Sequence, residues 1–284
     1  MTAIAIWCNH EIEENPRLWI AADSLVSTSA GSKLINDGAK IFALPIVCRS
    51  AGKNGFFTER YYEHTYGYCF AGDTLLGQNA YLSLVPLLSN LFSSTSYIPS
   101  SADVARYVHT YLSHTYDDCK AGRAENSGFE AALFGHCSIT NTLSAYHFFL
   151  KNENGVFEVT SKLHDNMQER EFLYLGDSKV HMSSQIKAAL AADSTPMAEW
   201  EARSKGRRLS RIPRYIIQDH INDESFPTIG GSLQLGIADR FGFRAFPLCK
   251  PGVNGEAVIS YLGRELTQDL QYVGRALVGG EAMA

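Results

Sequence analysis

The sequence predicts an α+β chain folded as a four-layer αββα sandwich. Two observations carry this: short apolar runs with strand character, and two pairs of segments with helical spacing. A third is their order, which runs strands, two helices, strands, two helices, strands. Each sheet must bury one face on the other and cover its opposite face with helices, which gives four layers. No internal repeat or composition break divides the 284 residues. The reading is therefore one domain over 1–284, with surface insertions and a helical tail from about residue 255.

The elements follow in order. Thr2 to Cys8 (TAIAIWC) reads as a buried strand, Leu18 to Asp23 (LWIAAD) as its hairpin partner, and the polar stretch from Asn9 to Pro16 as the turn. Ala39 to Val47 and Tyr66 to Ala71 are strand-like, with an exposed Gly/Ser-rich excursion, Arg49 to Arg60, between them. Leu76, Ala80, Leu82, Val85, Leu87, Leu88 and Leu91 give helical spacing, and Ala102 to Leu112 does so again after Ser100-Ser101-Ala102-Asp103, a plausible N-cap. Glu130 to Thr140, Leu143 to Leu150 and Val156 to Thr160 read as a meander with Asn152-Glu153-Asn154-Gly155 as a turn. Glu171 to Leu175 is one more strand. Ser183 to Ala192 and Ile212 to Ile221 form the second helical pair. Ser232 to Ile237 and Phe243 to Leu248 make a final hairpin, and Ile259 to Leu277 reads as a terminal amphipathic helix.

The bulk composition narrows the function. With 45% hydrophobic and 19% charged residues, the chain has material for a sizeable core. A net charge of −5 gives no basic field for nucleic acid or an anionic membrane. No run approaches the roughly 20 apolar residues of a membrane span. The first residues lack the positive region of a signal peptide, so the expected compartment is cytoplasmic. The six cysteines form no C-x-x-C pair and the nine histidines show no ligand spacing, so no metal is expected. No G-x-x-x-x-G-K-[ST] occurs, and no organic cofactor is expected. The basic cluster around Lys205, Arg207, Arg208, Arg211 and Arg214 reads as a solvated helix start.

A strand that opens at residue 2 is unusual, because chain ends commonly fray. It is followed by Ala21-Ala22-Asp23-Ser24 at the end of a second strand and Lys40-Ile41 at the start of a third. Ala71-Gly72-Asp73 then leads into the first helix, and Gly230-Gly231 precedes the last strands. In this order the motifs resemble the proteasome β-subunit family of N-terminal-nucleophile hydrolases, in its bacterial proteasome-related branch. The resemblance implies that Met1 is removed and that Thr2 is the nucleophile. A threonine hydroxyl needs a base, and at the chain terminus its own α-amine can serve. That amine's ordinary pKa of about 7.7–8 suits the task. A neighbouring Lys⁺ keeps it neutral, and an Asp holds the Lys; the resemblance gives these roles to Lys40 and Asp23. It gives the oxyanion-binding backbone N–H to Gly72. The implied reaction is amide hydrolysis through an acyl-enzyme ester on Thr2.

Two positions depart from the family pattern. Gly176-Asp177-Ser178 stands where the family often has Gly-Ser-Gly, making Asp177 a candidate partner for the terminal amine and Ser178 a candidate substitute for the missing serine. Ile229 stands directly before Gly230, where the family has acidic and hydroxyl side chains. The implied partners are a peptide or unfolded-protein substrate, further copies of the same chain, and a separate ATPase. Two alternatives share the resemblance: a small-molecule amidase, and a non-catalytic subunit that self-assembles.

Overall fold

The structure, a computed structural model, describes residues 2–11, 15–28, 31–120, 128–191, 208–223, 225–251 and 256–279. In chain order its early strands are β1 (Ala3–Asn9), β2 (Arg17–Ala22), β3 (Val26–Ser27), β4 (Lys33–Ile35), β5 (Ile41–Ser50), β6 (Glu59–Gly72) and β7 (Leu91–Phe92). Then come β8 (Phe129–Cys137), β9 (Thr142–Glu153), β10 (Val156–His164), β11 (Phe172–Gly176), β12 (Gln234–Asp239) and β13 (Gly242–Phe246). The last are β14 (Leu248–Pro251), β15 (Ala257–Tyr261), β16 (Arg264–Glu265), β17 (Tyr272–Val273) and β18 (Ala276–Leu277). The helices are α1 (Thr74–Leu88), α2 (Ser101–Lys120), α3 (Lys179–Ala191) and α4 (Ile212–Ile221). No helix among the described residues is long and apolar enough to cross a membrane.

The architecture corrects the sequence reading. Among the described residues the fold is mainly β, 43% strand against 26% helix, with a sheet curled into a half barrel rather than the four-layer αββα sandwich. One reason is visible at the C-terminus. The segment read as an amphipathic helix, Ile259 to Leu277, holds β15 to β18 and a 3-10 turn instead. Leu262 and Gly263 sit at φ +50° and +88°, so the chain reverses in two residues and pairs Tyr261 with Arg264. Gly274, at φ +63°, begins the loop that pairs Val273 with Ala276. Such tight reversals break helical continuity whatever the apolar spacing around them.

The chain divides into two compact units. The first comprises Met1–Ile41, Gln168–Ile237 and Ala245–Ala284. Its main sheet runs β11-β1-β2-β12-β13, with the far end of β12 and the start of β13 counted in the second unit. β1 lies between β11 and β2 and pairs antiparallel with both, Ile4 facing Leu175 on one side and Ala22 on the other. One face carries Ala3, Ala5 and Ala21, and these small side chains let α3 and α4 pack closely through Met182, Ile186 and Ile217. Trp7, Trp19 and Tyr174 fill the same core. Pro213 at the start of α4 sits where a missing N–H is harmless.

The second unit comprises Phe42–Met167 and Ala238–Arg244. Its sheet runs β10-β9-β8-β6-β5-β7, with β7 parallel to β5. The meander β8-β9-β10 is antiparallel as expected, and Asn154-Gly155 makes its two-residue turn at φ +56° and +88°. α1 and α2 pack Leu76, Ala80, Leu84, Val104 and Val108 against Ile46, Tyr68, Phe70 and Leu133. Asp73 caps α1 by accepting the Leu76 N–H at 2.9 Å.

Candidate active site

Thr2 is buried directly before β1. Its carbonyl oxygen accepts the Asp177 N–H at 2.7 Å. Gly176, opposite Ala3 in the ladder, sits at φ +106°, and a Cβ there would overlap the Thr2 carbonyl. The turn after β11 therefore requires glycine to approach residue 2 so closely. On the other flank, Ala3 donates its N–H to Asp23 Oδ1 at 2.9 Å, and Asp23 N–H returns to Ala3 O at 3.1 Å.

Asp23, at the end of β2, is 0% exposed, and four donors converge on its carboxylate. Oδ1 accepts Ala3 N–H at 2.9 Å and the Lys40 ammonium at 2.7 Å. Oδ2 accepts the N–H groups of Leu25 and Gly230, each at 3.2 Å. Lys40, 3% exposed, also donates Nζ to Leu25 O at 2.7 Å. Burial depresses the Lys40 pKa below the ordinary lysine value, with Asp23 and then Asp177 pulling it back. Burial likewise raises the Asp23 carboxyl, opposed by Lys40 and by the amides of Ala3 and Gly230. An ammonium and a carboxylate so placed form a dry ion pair, tied to the residue after Thr2 through the Ala3 N–H.

The structure brings Asp23, Lys40 and Asp177 together around the start of β1. Asp177 Oδ2 is buried with no hydrogen-bond partner among the described residues, while the Asp177 carbonyl accepts from Tyr174 Oη at 2.7 Å. Ser178 is exposed at φ +51°, and its carbonyl accepts the Met182 N–H at 2.9 Å as α3 begins. Ile229 is buried in the apolar core with Ile217 and Leu233, so this position contributes no polar side chain. Met1 lies outside the described residues. Gly72 belongs to the second unit. It sits at φ +89°, and a Cβ there would overlap Gly128 O, which also accepts the Asp73 N–H at 3.1 Å. Backbone packing alone thus demands glycine at 72.

One supporting residue, Ser24, was read only as a motif position, and another, Gln234, escaped the sequence reading. Ser24 Oγ donates to Asn36 O at 2.5 Å and accepts the Ser232 N–H at 2.7 Å. Gln234, 1% exposed, accepts the Lys40 backbone N–H at 3.1 Å and donates Nε2 to Gly38 O at 2.8 Å and Asp23 O at 3.2 Å. The available signal was one amide side chain inside the otherwise apolar run Leu233 to Ile237.

No protein-family model matches the chain, and none of the curated proteins matches it. Solved structures do. The helical assembly of the Anbu complex from Pseudomonas aeruginosa has a TM-score of 0.55 at 14% identity, over 89% of each chain. Anbu (ancestral beta-subunit) from Yersinia bercovieri has a TM-score of 0.52 at 13% identity, over 86% of this chain and 87% of that one. These findings correct the family expectation: the similar structures are ancestral β-subunit proteins, proteasome-related but distinct, rather than the proteasome β-subunits that the motifs resemble.

Proposed function

We propose that this chain, once Met1 is removed, hydrolyses amide bonds with Thr2 as its nucleophile. The observation that carries the reading is the buried Lys40–Asp23 pair, whose carboxylate also binds the N–H of the residue after Thr2. The α-amine of Thr2 takes the hydroxyl proton, directly or through one water, and Oγ1 attacks the amide carbonyl. Collapse of the tetrahedral intermediate breaks the C–N bond; the leaving amine takes the proton and the acyl group stays on Oγ1 as an ester. Water, deprotonated by the same amine, then hydrolyses the ester and restores the hydroxyl.

Lys40 supplies positive charge that favours the neutral amine, and Asp23 holds Lys40 while anchoring residue 3. Asp177 works in the opposite sense, since its carboxylate favours the protonated amine. The proposed substrate is a peptide or an unfolded segment, and the proposed working form is a homo-oligomer. Fold similarity to a protein that forms a helical assembly supports the latter. A non-catalytic self-assembling subunit is the second reading, favoured by Ile229 in the core and by Asp177 in place of a hydroxyl.

The deciding test uses purified protein of verified N-terminal mass, treated with a β-lactone. Oγ1 opens the lactone ring and retains the whole probe as an ester. Labelling at Thr2 that is lost in Thr2→Ala supports the hydrolase. An unlabelled Thr2 in processed protein refutes it in favour of the assembly subunit.

A further inference from the structure

We infer that Gln234 is a positioning residue for Lys40, and that the C-terminal β15–β16 hairpin clamps it in place. The inference rests on the proposed role of Lys40 and extends it to residues that the catalytic motifs do not include.

The segments bearing the ion pair meet outside any regular ladder. Asp23 follows β2 and Lys40 precedes β5, so strand pairing alone does not set the distance between them. The Gln234 carboxamide spans the gap with three hydrogen bonds: Lys40 N–H to Oε1, and Nε2 to both Gly38 O and Asp23 O. One planar group thus ties the backbone of the lysine to the backbone of the aspartate. Neutrality matters as much as shape here, because Asp23 and Asp177 already face Lys40. An amide holds the two backbones without adding charge, and it donates where two carbonyls need donors. Glutamate would lose both donors and place a third carboxylate beside the ammonium. Leucine would leave one N–H and two carbonyls without that partner.

The hairpin closes this arrangement from behind. Gly263, at φ +88°, lies so near that a Cβ would overlap Ser24 Cβ, stand 2.8 Å from Ser24 Oγ and reach 3.5 Å from Gln234 Nε2. The next residue, Arg264, pairs with Asp37 at 2.5 Å, in the segment leading to Lys40. Ser24 fastens the same segment through Asn36 O. The hairpin therefore bears on both ends of the clamp.

The experiment reads Lys40 directly, so it does not depend on turnover. The Lys40 side-chain NMR resonance, assigned by its loss in Lys40→Met, is titrated in the full chain, in Gln234→Leu, in Gln234→Glu and in Gly263→Ala. Thr2 acylation by the β-lactone is measured in parallel. We expect Gln234→Glu to raise the Lys40 pKa by about one unit or more, a tenfold change in its proton affinity. We expect Gln234→Leu and Gly263→Ala to shift the titration and to slow acylation at least tenfold. If Gln234→Leu does not fold, the isosteric Gln234→Glu variant and Gly263→Ala decide. An unchanged Lys40 titration in folded variants overturns the inference. Absent labelling in the parent protein overturns the proposed hydrolase, while the titration still decides the role of Gln234.

Discussion

Replacing Lys40 with methionine isolates the energetics of the site. The variant keeps most of the side-chain volume and removes the charge, leaving the Asp23 carboxylate at 0% exposure without its ammonium. Breaking a buried pair from one side costs about 3–5 kcal/mol. The amides of Ala3, Leu25 and Gly230 remain as donors, which holds the penalty near the lower end, about 3 kcal/mol. With a urea slope of about 3 kcal/mol/M, the unfolding midpoint should fall by about 1 M. Trp7 and Trp19, both buried with ring centroids 6.0 Å apart, report the transition by fluorescence. The pH dependence has a definite sign. Without Lys40, burial holds the folded Asp23 pKa above its unfolded value of about 3.9. Its contribution is then fully present below that value and is lost as pH rises through the folded pKa. The penalty should therefore shrink on acidification and grow toward neutrality. Adding Asp23→Asn should recover part of it by removing the stranded charge. A single variant within about 0.5 kcal/mol of the parent at neutral pH, or a penalty flat with pH, would refute the reasoning.

Other outcomes follow from the same geometry. Thr2→Ala should abolish β-lactone labelling and peptide turnover while lowering the unfolding free energy by only about 1 kcal/mol, since one buried methyl and a hydroxyl are lost; retained turnover would remove Thr2 from the mechanism. Asp177→Asn removes a carboxylate that favours the protonated terminal amine, so the acidic limb of the activity profile should move to lower pH; a shift the other way would show that Asp177 does not act on the amine. Glu11 is held at a pKa of about 2, against burial, by Arg211, Ser210 and Arg208. A depressed carboxyl stabilises above its unfolded pKa and loses that contribution as pH falls through the folded one. Glu11→Gln should thus cost about 1–2 kcal/mol at neutral pH and progressively less as pH falls toward about 2, as read from paired urea melts. Gly176→Ala should slow acylation far more than it destabilises, because the added methyl strikes the Thr2 carbonyl; equal losses in rate and stability would argue against that contact.

Much of the first unit was legible because its signals are local. TAIAIWC and LWIAAD alternate or run apolar for the length of a strand, and a short-range hairpin between them needs no distant information. Asp23 and Lys40 were singled out by the motifs that carry the family resemblance, Ala21-Ala22-Asp23-Ser24 and Lys40-Ile41, and they do meet. What the sequence hid depends on distant partners. Gln234 contacts Lys40 across 194 positions, and nothing near it announces a clamp. β7 has only two residues, Leu91 and Phe92, and exists through its parallel register on Cys48 and Arg49. The C-terminal hairpins hid behind apolar spacing that imitated a helix, and their turns rest on Leu262 and Gly263 at positive φ. Gly72 carries two demands at once: the resemblance gives its N–H a chemical role, and the closeness of Gly128 by itself requires a glycine there.

The double pairing of β1 has a kinetic meaning. A loosely held segment ordinarily samples many positions, so a reactive group carried there would need to be caught before each reaction. Here the residues directly after Thr2 are knitted into the interior of a sheet, with β11 on one side and β2 on the other beginning at residues 3 and 4. Amide hydrogens of Ala3 to Trp7 should exchange as slowly as those of a central strand. Under the proposed mechanism, the orientational entropy of placing the Thr2 hydroxyl is thus lost once, during folding, rather than at every encounter with a substrate.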